Sequence, residues 1–185
     1  LAAANSGDEI WVAAGTYKPT TGADRMISFD PPAGVKIYGG FAGTETSRDQ
    51  RDWNTNKTIL SGDLAGNDNA NIARIEPTRG ENSIHVITIH NKATEVVLDG
   101  LVISGGNGDK SIRGRPADQT AGAGLWSKGS VVSIRNCVFE KHTGTWGTSI
   151  LSEGAGSLRM EATIIQDNET HIQGAVGIHG GASNS

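Results

Sequence analysis

An all-β chain wound as a β-solenoid, with coils of about 25 residues, is the fold the sequence predicts. Three observations predict it: a glycine excess without a proline excess, a β-branched apolar composition, and an imperfect internal repeat. Of the 185 residues, 26 are glycine and 5 are proline, so glycine stands at roughly twice its average usage of about 7%. No G-X-Y period runs through the chain and 36% of it is apolar, which excludes collagen and a disordered linker. Ile (17) and Val (10) outnumber Leu (8), and stiff β-branched side chains suit a pleated, half-buried surface.

The elements follow in order. Residues 1–5 are alanine-rich and run into Ser6 and Gly7, which reads as the last turn of a helix ending at a glycine. Apolar alternations then fall at residues 10–12, 26–29, 35–38, 58–60, 84–89, 96–98, 101–104, 131–134, 138–139 and 157–160. Each is a few residues long and closed by glycine or a polar turn, the period of half-buried strands. Asp99-Gly100 is the main hairpin-type dipeptide, but the apolar pattern runs through it.

The repeat fixes the coil. Residues 125–143 lie near residues 150–169 at an offset of about 26. That offset sets Val132 on Leu158, Ile134 on Met160, Val138 on Ile164 and Phe139 on Ile165. At an offset of about 36, Val102 falls on Val138 and Ile103 on Phe139, and the surplus lies in a polar insertion at about 107–121. One domain, 1–185, accounts for the whole chain. Glycine serves the corners, where the backbone turns sharply through positive φ.

The formal charge of −4 gives no basic footprint for nucleic acid, and no apolar run reaches the ~18 residues of a membrane-spanning helix. Cys137 is the single cysteine and lies in an apolar stretch, so it reads as a small core residue. With Leu1 in place of an initiator Met, the expectation is a processed product or an excised segment.

Several segments carry a specific resemblance: GDEIWVAAGTY (7–17), GVKIYGGFAGTETS (34–47) with QRDW (50–53), TILSGD (58–63), HVI (85–87) and VLDGLVISGGN (97–107). The chain resembles the right-handed parallel β-helix repeat proteins of bacteria, pectin-lyase-like in type. The glycine-opened units after Ala123 are similar to repeats of the polymorphic-outer-membrane-protein type. The resemblance implies export to the cell surface, a longer adhesin or anchored parent, and an N-terminal cap helix of which residues 1–5 are the remnant.

Some parallel β-helices act on polysaccharides, a chemistry that needs carboxylates converging from adjacent coils. Inverting hydrolysis needs two carboxyls about 6.5–9.5 Å apart. Asp63 and Asp99 sit at strand–turn junctions, but neither is followed one coil later by another carboxylate. His179 reads as a turn histidine. Asp63, Asn67, Asp68 and Asn69 offer hard oxygen ligands at close spacing, as calcium requires; without EF-hand spacing, an Asx-rich turn is the preferred reading. No other His or Cys lies near His85 and His90 in sequence, which sets a metal site there aside. Trp11, Tyr17, Tyr38, Trp53, Trp126 and Trp146 could stack on sugars or cover coil edges, and Asn56 and Asn168 open glycosylation sequons.

These readings predict no catalytic residue and no cofactor. The expected function is a non-catalytic structural or adhesive protein of a bacterial surface. Copies would associate end to end, residues 1–17 of one meeting residues 174–185 of the next, because terminal coils present unpaired backbone groups. The alternatives are a polysaccharide lyase or hydrolase and a glycan-binding module.

Overall fold

The structure, a computed structural model, describes residues 3–73, 75–108 and 120–180. It is all-β with parallel sheets. The first sheet runs in the order β1 (Glu9–Ala13), β3 (Lys36–Phe41), β6 (Val96–Asp99), β9 (Val131–Arg135), β13 (Ser157–Glu161). The second runs β2 (Gly15–Tyr17), β4 (Thr58–Ser61), β7 (Leu101–Ser104), β10 (Val138–Glu140), β14 (Ile164–Gln166). A third holds β5 (Ile87–His90), β8 (Leu125–Lys128), β12 (Ile150–Gly154) and β16 (Val176–Gly180), and β11 (Thr143–Trp146) pairs with β15 (Glu169–Gln173).

No strand pairs with its successor in sequence. The chain leaves each sheet, visits the others, and returns to lie parallel beside its own earlier strand, the crossover connection that parallel pairing demands. Every repeat alignment of the sequence is a register pair: Val132 with Leu158 and Ile134 with Met160, Val138 with Ile164 and Phe139 with Ile165, Val102 with Val138 and Ile103 with Phe139. The same side chains therefore stack in columns through the interior. Ile37, Leu98 and Ile134 are buried and consecutive in one column, and Leu60, Ile103 and Phe139 in another. Cys137 is fully buried in this core.

The corners are stacked as well. After the first sheet the chain turns through the left-handed region at Gly100 (φ 73°), Asn136 (φ 50°) and Ala162 (φ 46°), each following a residue of one column, Asp99, Arg135 and Glu161. After the second it turns at Gly105 (φ 78°), Lys141 (φ 57°) and Asp167 (φ 49°). Glycine is required at Gly100, where a Cβ would lie 3.1 Å from the Gly39 carbonyl oxygen and 2.9 Å from Arg51 Nη1. At the later corners, where Asn136, Lys141, Ala162 and Asp167 hold the same conformation, glycine is absent, so composition alone understates the number of corners.

Two expectations are corrected, and the reading of Asp99-Gly100 as no hairpin holds. Among the described residues, 3–8 form a turn and not a helix: Asn5 accepts from the Asp8 N–H and Gly7 takes φ 97°. Leu1 and Ala2 lie outside the described residues, as does 109–119 of the polar insertion. Residues 26–29 contribute one bridge, Phe29 to Ile87, and no strand. Asp99-Gly100 is a corner between β6 and β7, which belong to different sheets.

Candidate functional site

Just past β4, the 63–69 loop meets the turn that carries Arg79 and Glu81. Oxygen atoms of Asp63, Asp68 and Glu81 gather within 4.8 Å of one another. Asp63 is spent on its own loop: its carboxylate accepts the backbone N–H groups of Gly66, Asn67 and Asp68. Burial raises its pKa, and these donors outweigh burial and hold the carboxyl below its ordinary value. Burial pushes the Glu81 carboxyl above its ordinary value, and the neighbouring Asp63 carboxylate pushes it the same way. Asp68 accepts from Arg79 Nη1 at 2.9 Å and from Asn82 Nδ2 at 2.9 Å, and burial still raises its carboxyl above the usual range.

Arg79 has no exposed side-chain surface. Besides Asp68 it donates to the Lys141 carbonyl, tying the loop to the corner after β10, two turns of chain further on. Of the expected calcium ligands, Asp63 and Asp68 come together, whereas Asn67 contributes its backbone N–H and Asn69 turns its amide to Glu76 at 2.9 Å. The arrangement is a self-closed Asx turn locked by a buried arginine. Arg79 and Glu81 carry no signal in the sequence: lone charges in a loop read as solvated, and only the stacking buries Arg79 and half-buries Glu81.

A second constellation lines the outside of the first sheet. Arg51 lies between the rings of Tyr38 (5.1 Å) and Trp53 (4.7 Å) and pairs with Asp99 at 2.8 Å. Arg48 lies 4.9 Å over the other part of this wall, on Tyr38, and pairs with Glu9 at 2.9 Å. Tyr38, Arg48, Arg51, Trp53 and Asp99, together with Asp49 and Arg135, border a groove of about 440 Å³. Asp99 is paired across its column with Arg135 and accepts from Asn136 Nδ2 at 2.9 Å, so it faces cations and an amide, not a second carboxylate.

The remaining expectations are placed as follows. His85 and His90 pack their rings on Trp126 at 4.9 and 4.3 Å, and His85 Nδ1 is 3.1 Å from the Gly122 carbonyl. His179 lies in β16, not in a turn, and its ring meets Trp146 edge-on at 4.8 Å. Asn168 donates to the carbonyls of Phe139 and Gln166 and accepts the His142 N–H, so its amide is part of a corner; Asn56 donates to Gly40 at 3.4 Å. His142, which sequence reading passed over, is fully buried, accepts the Gly106 N–H at Nδ1 and donates from Nε2 to Ile103. Burial lowers its pKa to about 3.

The two ends of the sheets form the third feature. Large apolar side chains exposed among the described residues are Trp11, Tyr17, Met26 and Ile27 at one end and Met160, Ile164, Val176 and Ile178 at the other, with Ile75 as the exception. Among the described residues β1 and β2 are edges at the first end, where Phe29 bridges the outer side of β5, and β13, β14, β15 and β16 are edges at the second. Among the described residues no helix is long and apolar enough to cross a membrane.

Comparison with family models, with curated proteins and with solved structures finds no match to this chain.

Proposed function

We propose that the chain is a right-handed parallel β-helix serving as a non-catalytic structural or adhesive module of a bacterial surface, and that its partner is another copy, bound end to end. The single observation that supports this reading is the placement of exposed apolar side chains. They sit at the two ends of the sheets, beside the unpaired edges of β1 and β2 and of β13, β14 and β16. Scattered exposed apolar residues need no explanation, but clusters on open strand edges mark surfaces built to be covered. A head-to-tail contact of this kind does not close on itself and yields a filament.

Sedimentation across a range of protein concentration, with electron microscopy of the same samples, tests the reading. Concentration-dependent growth into unbranched filaments is expected. A monomer at every concentration overturns it.

A second reading, glycan binding, is favoured by the groove of Tyr38, Arg48, Trp53 and Arg135, which sets aromatic faces beside guanidinium groups. Retention on acidic polysaccharide that is lost in Trp53→Ala supports it. Release of unsaturated uronates or new reducing ends would instead favour the lyase or hydrolase.

A further inference from the structure

We propose that the end-to-end contact has one register, in which β13 of one copy adds to β1 of the next with Met160 over Ile10 and Arg159 over Glu9. This rests on the end-to-end reading and adds to it the residues that meet.

The register follows from the columns inside one copy. Ile10, Ile37, Leu98, Ile134 and Met160 are successive members of one column. Glu9, Lys36, Val97, Ser133 and Arg159 form the column beside it. One further step of the same kind brings Met160, 39% exposed, onto Ile10 of the next copy. It also brings Arg159, whose side chain is 69% exposed, onto Glu9, which is 33% exposed beside Arg48.

That single step satisfies the other sheets too. In the second, Thr16, Ile59, Val102, Val138 and Ile164 share a column, so Ile164, 54% exposed, reaches Thr16 of the next copy, and Ile165 reaches Tyr17. In the third, Phe29, Ile87, Leu125, Ile150 and Val176 share a column, so Val176 reaches Phe29.

Alternatives are penalised. A slip by one residue turns the apolar side chains of β13 away from the core columns. A slip by two that sets Glu161 over Glu9 places like charges opposite each other, which is destabilising, and any slip unseats Val176 from Phe29. The ion pair is exposed and contributes little affinity; it selects the register, while the apolar columns and the parallel ladders hold the copies together.

Paired cysteine variants of the 185-residue chain test this. Neighbouring strands lie at a spacing that a disulfide can span, and Cys137 is buried with its thiol pushed up to about 12, which keeps it out of the exchange. Oxidation of an Ile10→Cys chain mixed with a Met160→Cys chain is expected to give covalent dimers, and Ile10→Cys mixed with Leu158→Cys is expected to give none. Dimers from the second mixture, or from Met160→Cys alone, overturn the register while leaving end-to-end association standing. A wild-type chain that never sediments above monomer removes both.

Should the variants fail to fold, hydrogen exchange on the wild type decides. Protection of the amides of Glu9–Ala13 and Ser157–Glu161 that rises together with concentration is expected. Unchanged protection at these strands in the assembled sample overturns the register, and so does protection in the monomer of those β13 amides that face away from β9, which would mean that another segment of the same chain covers that edge.

Discussion

Arg79, with no exposed side-chain surface, is held by Asp68 at 2.9 Å. The pair joins the 63–69 loop to the rest of the molecule through the Lys141 carbonyl. A buried ion pair adds little over an apolar pair of the same volume, but removing one partner leaves a buried charge uncompensated.

Asp68→Ala is therefore expected to destabilise the protein by roughly 3 kcal/mol. Adding Arg79→Met should restore a large part of that loss. Urea midpoints of the two single variants and the double variant check this, and strict additivity would contradict it.

His142 sets a pH dependence whose sign is fixed by its burial. Its pKa falls from the ordinary 6.5 to about 3 in the folded state, so below pH 6.5 the unfolded chain takes up a proton that the folded chain refuses. Stability is full above pH 6.5 and is lost as the pH falls toward 3, by about 1.4 kcal/mol per unit. His90, also lowered by burial, adds in the same direction. The difference between wild type and His142→Gln isolates the share of His142: the variant should show a flatter fall between pH 6.5 and about 4.5, above the range in which the depressed carboxyls of Glu45, Asp52 and Glu76 take up protons. Denaturation midpoints at intervals across that range measure it.

The stacked corners favour glycine alike, so exchanges in the two directions have opposite effects. Gly100→Ala places a Cβ at φ 73° and 3.1 Å from Gly39 oxygen, so a loss of about 2 kcal/mol or more is expected. Ala162→Gly relieves a left-handed alanine at φ 46° and loses part of the gain to the greater freedom of the unfolded chain, for a net gain of up to about 1 kcal/mol. Thermal unfolding of both variants decides; equal and like-signed effects would refute the corner assignment.

Cys137 is expected to be inert. Its thiol, fully buried and pushed up to about 12, donates to the Arg135 carbonyl at 3.1 Å. Iodoacetamide should leave the native protein unlabelled and should label it fully in denaturant, as mass spectrometry would show.

The columns were legible in the sequence because a repeat of apolar residues is a statement about stacking: Val132 over Leu158 and Ile103 over Phe139 need no other information. Glycine corners were legible only in part, since Asn136, Lys141, Ala162 and Asp167 turn through the same region without a glycine to announce it. β11, at Thr143–Trp146, was invisible because its inward residues are threonine and glycine. The first residues misread as a helix because alanine propensity is a weak prior that the neighbouring strand overrides. The calcium candidates shared a loop but not a site: Asn69 turns to Glu76, while Glu81, distant in sequence, takes its place.

By itself the sequence determined the strand type, the repeat and the column register, because these depend on which side chains recur at one spacing. Only the tertiary structure decided which polar residues are buried, that Arg79 lies inside and Asn67 outside, and that the exposed apolar side chains gather at the two ends. Those facts depend on what each turn of the chain lies against, and among the described residues the outer edges of β1, β2, β13 and β14 lie against no further strand.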